Sequence, residues 1–487
     1  MHLISPAQHS RRAFLRRSAQ LAFTGAALPT ALNLAALGEA AALTAPDGTY
    51  KALVCVFLYG GNDQANTIVN YDDASYNAYS RIRSNIALPK SSLLPLGATL
   101  KDASRQYALH PAMAGLQGLY NSGQCAVQLN VGPLIVPLNK TQYLSGSSQY
   151  PVPPNLFSHN DQASVWQSSS PEGSTVGWGG NIGDLALAAN ANTNALFTCV
   201  SITGNTVFLA GNNALAYQVS QYGAVKINAE AYNVYDSSAV KSVVSQLIQQ
   251  ASGHALENEY NRITSRAIRA EVEVSRGIDA VSADGSGAAF APLSAVTGNN
   301  PLAAQLKMVA RLIAARGSLG SKRQVFFVSL SGFDLHDNLI AGHNANMQRL
   351  SQAMAAFYET TVNLGVANSV TAFTASDFGR SLTSNGDGSD HGWGNHHLVV
   401  GGDVKGKALY GYAPPVGAGN TNTEADRWHV DQGRLLPTAS VDQYAATLAN
   451  WFGVAPGAEL ASVLPNLRNF GGTVGGIDYA QNLQFMK

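Results

Sequence analysis

The run ALVCVFLYGGND, residues 52–63, is apolar on both alternating faces and stops at two glycines. It is too short for a helix of ordinary length, and its β-branched and aromatic content predicts a strand buried on both sides in a parallel sheet. Four further runs repeat the pattern: CAVQLNVG (125–132), QVFFVSLSGFD (324–334), SVTAFTASDFG (369–379) and HLVVGGDV (397–404). Between them the apolar period lengthens to that of a helix, at 110–123, 301–320, about 343–364 and 441–453. Strands alternating with helices of this length predict an α/β fold, a layered sandwich around a mostly parallel sheet.

The texture changes between about 135 and 235, where Asn, Ser, Gly, Pro and Tyr interrupt short apolar pieces. A loop-rich insertion or cap over the sheet is expected there. A polar helical stretch follows at 237–281 and is expected to pack along the outside. Residues 282–301 read as a Gly/Ser/Ala linker or exposed loop. No internal repeat and no glycine-rich nucleotide motif is present.

Charge narrows the function. Only 12% of the residues are charged, about half the usual share, and the thirty basic residues balance thirty acidic ones. A neutral chain lacks the basic footprint that nucleic acid requires. The N-terminus carries paired arginines, Arg11 and Arg12, then a mildly apolar alanine-rich stretch and Ala40-Ala41-Ala42. Residues 1–42 resemble a twin-arginine export signal, which assigns the mature domain to 43–487, the export machinery as a partner, and the periplasm or the exterior as the destination. No later apolar run is long enough to span a bilayer. Cys55, Cys125 and Cys199 have no metal-ligand spacing, and one disulfide at most can form among three.

Three of the expected strands end in an aspartate: Asp63, Asp334 and Asp377. Ligands of open parallel sheets bind beyond the carboxyl ends of the strands. Three carboxylates delivered there repel one another unless a cation neutralises them. Each aspartate alone also reads as a turn or helix-cap residue. His336 stands two residues after Asp334, a spacing that can hold one divalent ion. The stretch SDHGWGNHH adds His391, His396 and His397. Strand alternation turns His396 and His397 to opposite faces, so one of the two is expected to be a ligand and the other a supporting or core residue.

The motifs FLYGGND, NLFSHNDQASVW, GFDLHDN, SDFGR, DHGWGNHHLVVGG and LLPTASVDQYAATLANWFG, in that order, resemble the bacterial family called domain of unknown function 1501. Its members look like relatives of the alkaline phosphatase and sulfatase superfamily. The resemblance implies a three-layer α/β/α, alkaline-phosphatase-like domain and a divalent metal, with zinc, calcium, magnesium and manganese all open. It implies one ion held by Asp63 and Asp377, and a second by Asp334, His336 and either His396 or His397. Phe378 occupies the place where the superfamily carries a ligand after the late aspartate, and His391 is the available substitute. Ser158 is the candidate nucleophile at a helix start, or simply that helix's cap. His159 is a metal ligand or a general acid. Arg380 pairs with an oxyanion or forms a structural salt bridge. The implied activity is hydrolysis of phosphate or sulfate esters, on small or polymeric substrates; a non-catalytic metal-binding or surface protein on the same fold is the alternative.

Overall fold

The computed structural model describes residues 43, 49–97, 104–224, 237–283 and 286–487. Residues 1–42, where an export signal is expected, lie outside the described residues. Ten strands form the central sheet: β1 Lys51–Tyr59, β2 Cys125–Gly132, β3 Cys199–Ser201, β4 Tyr217–Ser220, β5 Gly223–Ala224, β6 Arg323–Ser331, β7 Val370–Ser376, β8 Asn395–Gly401, β9 Leu409–Tyr410 and β10 Ala439–Ser440. Their order across the sheet is β9-β2-β8-β7-β1-β6-β3-β4-β5, with β10 also pairing with β2. Helices that bear on the argument are α1 Ala114–Asn121, α2 His159–Ser168, α3 Trp178–Ala188, α4 Ser238–Leu247, α5 Ala255–Ala283, α6 Pro301–Ala314, α7 Leu339–Asn363 and α8 Val441–Phe452.

The alternation of β1 explains why helices flank both faces. Val54 and Val56 point into a core shared with Leu306 and Val309 of α6 and Leu350 and Met354 of α7. Cys55 and Phe57 point the other way, onto Trp166 of α2, Trp178 of α3 and Tyr444 of α8. Every one of these side chains is buried. Cutting Phe327 or Phe373 back to alanine in such a core costs about 3–5 kcal/mol.

The sheet is mixed rather than uniformly parallel. β7-β1-β6-β3-β4 run parallel, but β8 is antiparallel to both β7 and β2. The chain between β7 and β8 holds only a hairpin, Arg380–Ser384 with Ser389–His391, and no crossover helix. A parallel return needs such a crossover, so β8 comes back antiparallel.

Two expected loop regions carry core structure. The segment 135–235 supplies β3, β4 and β5 to the sheet itself, and α3 beneath it, instead of lying wholly above it. Residues 286–299 of the expected linker fold into short helices that bury Phe290 and Leu293. Cys55, Cys125 and Cys199 are all free and buried, without a disulfide. No described helix is long and apolar enough to cross a membrane.

Candidate metal centre

β7, β1 and β6 lie side by side in register, Leu58 beside Ser376 and Tyr59 beside Ser331, so Asp377, Asp63 and Asp334 leave the sheet at the same edge. The loop after β1 must pass between the other two. Gly60 and Gly61 have φ of 113° and 78°. A Cβ on Gly60 would stand 2.4 Å from the Asp334 amide nitrogen, and one on Gly61 2.4 Å from the Phe378 ring. Only glycine permits that approach.

Asp334 is the hub of the cluster. Its Oδ1 lies 3.0 Å from His336 Nε2, 3.4 Å from His391 Nε2 and 3.5 Å from His159 Nε2. His336 Nε2 and His391 Nε2 are themselves 3.0 Å apart. His159, Asp334 and His391 each offer a ligand atom within 4.8 Å of the others, and this group could hold a metal ion.

Each imidazole is fixed by what its other nitrogen touches. His159 Nδ1 donates to Asp377 Oδ2 at 2.7 Å, and His391 Nδ1 to the Phe157 carbonyl at 2.7 Å. His336 Nδ1 lies 3.2 Å from Asp390 Oδ1 and 3.5 Å from Asn385 Nδ2, and its Nε2 faces Asp334, so both of its nitrogens meet a carboxylate. The Nδ1 partners of His159 and His391 only accept, so in each neutral ring the proton sits on Nδ1 and the lone pair on Nε2. Two such lone pairs and His336 Nε2 then face one carboxylate oxygen, which also accepts Arg380 at 2.6 Å, with that guanidinium 3.4 Å from His336 Nε2. His159 Nε2, out of contact with solvent, has no hydrogen-bond partner. Lone pairs this close repel unless a proton or a cation lies among them, and a histidine ligand whose second nitrogen is anchored on an oxygen is the usual support of a metal. The donor set therefore fits a divalent ion.

The supporting shell is tightly built. Asp377 is buried and also accepts the Gly60 N–H at 3.0 Å. Asp390 is steadied by Asn385 Nδ2 at 2.8 Å. Phe157 supplies its carbonyl from a backbone at φ 73°, a left-handed conformation that costs an aromatic residue about 1–3 kcal/mol. The Phe378 ring packs against both His159 and His391, with centroids 4.7 Å away from each. The hydrogen bond that His159 donates to Asp377 raises the His159 pKa against the opposing effect of burial. Burial pushes the His391 pKa down, and the charges of His159 and Arg380 add to that. Burial would raise the Asp334 carboxyl, but Arg380 and the neighbouring histidines outweigh it and hold it below its usual range.

Other expected site residues go elsewhere. Asp63 is buried and bound to Arg83 at 2.5 Å and to the Ser389 hydroxyl at 2.9 Å, while its Oδ1 caps the helix start at Asn66. Its charge is thus balanced by an arginine twenty residues downstream, and the burial that would raise its pKa is overcome by Arg83 and His343. His396 Nδ1 accepts the Asn130 N–H at 3.0 Å. His397 lies among Trp166 and Tyr444 with Nδ1 3.3 Å from Thr374 Oγ1. Both rings are buried in the core, where desolvation pushes their pKa values down to about 4 and about 3. Neither joins the cluster.

Ser158 is the N-cap residue of α2, next to His159, and its hydroxyl donates to Asp161 Oδ2 at 2.9 Å. Arg380 is fully buried and spends its guanidinium on Asp334 at 2.6 Å and on the carbonyls of Gly60, Gly61, Phe333 and Ser389. It braces the three strand-end loops against one another. Sequence reasoning noted Asp390 within SDHGWGNHH without giving it a role, and did not assign Arg83 or the Phe157 carbonyl. Asp390 stands beside His391 in the acidic and histidine-rich run, a usable signal; the other two depend on backbone shape and distant pairing.

No curated protein matches the chain. The family model described as protein of unknown function, DUF1501, matches residues 50–463, a span that includes Asp334, His159, His336 and His391 together with every residue that anchors them, and the chain belongs to that family.

Proposed function

We propose that the protein is an exported, metal-dependent hydrolase of phosphate or sulfate esters, on an alkaline-phosphatase-like three-layer domain. One divalent ion is held by Asp334, His159, His336 and His391. The observation that carries this reading is the convergence of three anchored imidazoles on one carboxylate oxygen at a solvent-reachable sheet edge. A three-imidazole set favours a zinc-class ion over calcium or magnesium, which prefer oxygen. Bound there, such an ion supplies Lewis acidity toward an ester oxygen and lowers the pKa of an attacking hydroxyl or water.

The chain's own groups set the rest. Asp377 and the Phe157 carbonyl keep His159 and His391 in the ligating tautomer, Asp390 steadies His336, and Arg380 holds Asp334 in place. Ser158 Oγ donates to Asp161 and caps none of the first-turn amides of α2. Those N–H groups and the helix dipole remain available to an ester's anionic oxygens. Ser158 beside them is the candidate attacking group.

The deciding experiment is metal analysis of the mature protein, followed by an ester panel on wild type, Asp334→Ala and Ser158→Ala. A stoichiometric ion, turnover by wild type and loss of both in Asp334→Ala support the hydrolase. Turnover lost in Ser158→Ala with the ion retained assigns the serine as nucleophile; turnover retained assigns water. A bound ion with no ester cleaved by wild type overturns the enzyme reading and leaves the binding-protein alternative, which the engaged state of Arg380 and Ser158 favours. Export is tested separately by Arg11→Lys with Arg12→Lys, which should retain the precursor in the cytoplasm.

A further inference from the structure

Helix α5 carries one apolar seam along its whole length, and only part of it is covered. Leu256, Tyr260, Ile263, Ala267, Ala270 and Val274 follow one another at alternating steps of four and three residues, the spacing of a coiled-coil stripe. From Ala270 onward the stripe is buried: Ala270, Val274, Ile278 and Val281 join the core shared with α6. The first two heptads leave the body of the protein uncovered, with Leu256 77%, Tyr260 63% and Ile263 49% exposed.

We propose that this seam is where a second copy of the chain docks, as an antiparallel pair of α5 helices about a two-fold axis. Charge complementarity singles out a second copy. Placing Tyr260 opposite the second copy's Ile263, and Leu256 opposite its Ala267, closes the apolar layers. That same register sets Glu259 beside the second copy's Arg266, in the positions that flank an antiparallel seam. Glu259 is held in its own chain by Arg262 at 2.7 and 2.9 Å, and the second copy's Arg266 would join that pair; the two-fold axis repeats the arrangement.

Stable interfaces bury roughly 1,200–2,000 Å² in all. Val243 and Leu247 are further exposed apolar residues, on α4. The segment after α4 is tied to α5 by Asn261 Nδ2 donating to the Gln250 carbonyl at 2.7 Å. Nothing in this contact involves the metal cluster, so the inference stands whatever the cluster does.

Sedimentation analysis of the whole mature chain tests it. Wild type should be dimeric at micromolar concentration, and Ile263→Asp should be monomeric with an unchanged melting temperature. Glu259→Arg and Arg266→Glu should each weaken the dimer roughly tenfold, because two pairs become repulsive together. The double variant E259R/R266E should recover the wild-type dimer. A monomeric wild type, a dimer that ignores Ile263→Asp, a charge swap that fails to recover, or a monomer that binds anionic phosphatidylserine vesicles through this seam would each overturn the proposal.

Discussion

His391 and His396 are five residues apart, yet they belong to opposite worlds. His391 is part-exposed and donates through Nδ1 to a carbonyl, so its Nε2 is presented outward. His396 is buried and accepts a backbone N–H through the same atom, so its lone pair is consumed inside the fold. A second contrast separates Asp334, part-exposed and shared between Arg380 and three histidines, from Asp63, buried against Arg83 and Ser389. The role of a histidine or a carboxylate here follows from what its second polar atom is given, more than from its neighbours in sequence.

The largest test of that contrast is removal of the hub. Asp334→Ala should weaken metal binding roughly a thousandfold, taking about a quarter of the total binding energy of the proposed four-ligand site. Competition against a chelator measures it. His396→Gln, by contrast, should leave metal affinity within error.

The reverse is expected on the other carboxylate. Arg83→Met strands the buried Asp63 charge and should cost about 3–5 kcal/mol of stability, read by denaturant unfolding, with metal affinity unchanged. Loss of metal in this variant would return Asp63 to the ligand set.

The buried pair His396 and His397 should shape the acid limb of stability. Their folded pKa values, about 4 and about 3, lie below the ordinary value of 6.5. The unfolded chain therefore binds protons first as pH falls, so their contribution is complete above pH 6.5 and is lost on descending through about 4 for His396 and about 3 for His397. Each should account for up to roughly 3 kcal/mol of that loss. Unfolding curves of His396→Gln with His397→Gln should show a shallower decline between pH 6.5 and 4. An unchanged slope would mean that the rings are not held neutral.

The smallest expected effect is that of an anchor. Asp390→Asn should lower metal affinity about 10-fold, the lower end for residues that orient a ligand. Asp377→Asn should do more, toward 100-fold, because Asp377 also holds the Gly60 amide.

Much of this was legible in the chain. Apolar runs bounded by glycine located β1, β6 and β7, and the aspartates that end them mark the edge where the cluster sits. The antiparallel sense of β8 was harder, because a buried strand reads the same in either direction and only the missing crossover helix gives it away. Residues 135–235 looked like a cap because β3 and β4 are short, three and four residues, and polar sequence surrounds them. Within the site, spacing pointed to Asp334, His336 and His391, and the family resemblance to His159. It could not tell them from Asp63, His396 and His397, since Arg83 and the Asn130 amide reach those groups from distant parts of the chain.

The three cysteines have a practical consequence. Cys55, Cys125 and Cys199 all begin or lie within strands of the central sheet, and burial pushes each thiol far up, to about 12 for Cys125 and Cys199. A thiol reagent attacks only the thiolate and only what it can reach. Partial opening of a loop or of the metal cluster exposes none of them; the sheet itself has to come apart. Labelling rates under native conditions would thus act as a clock for global opening, with no probe to engineer into the molecule.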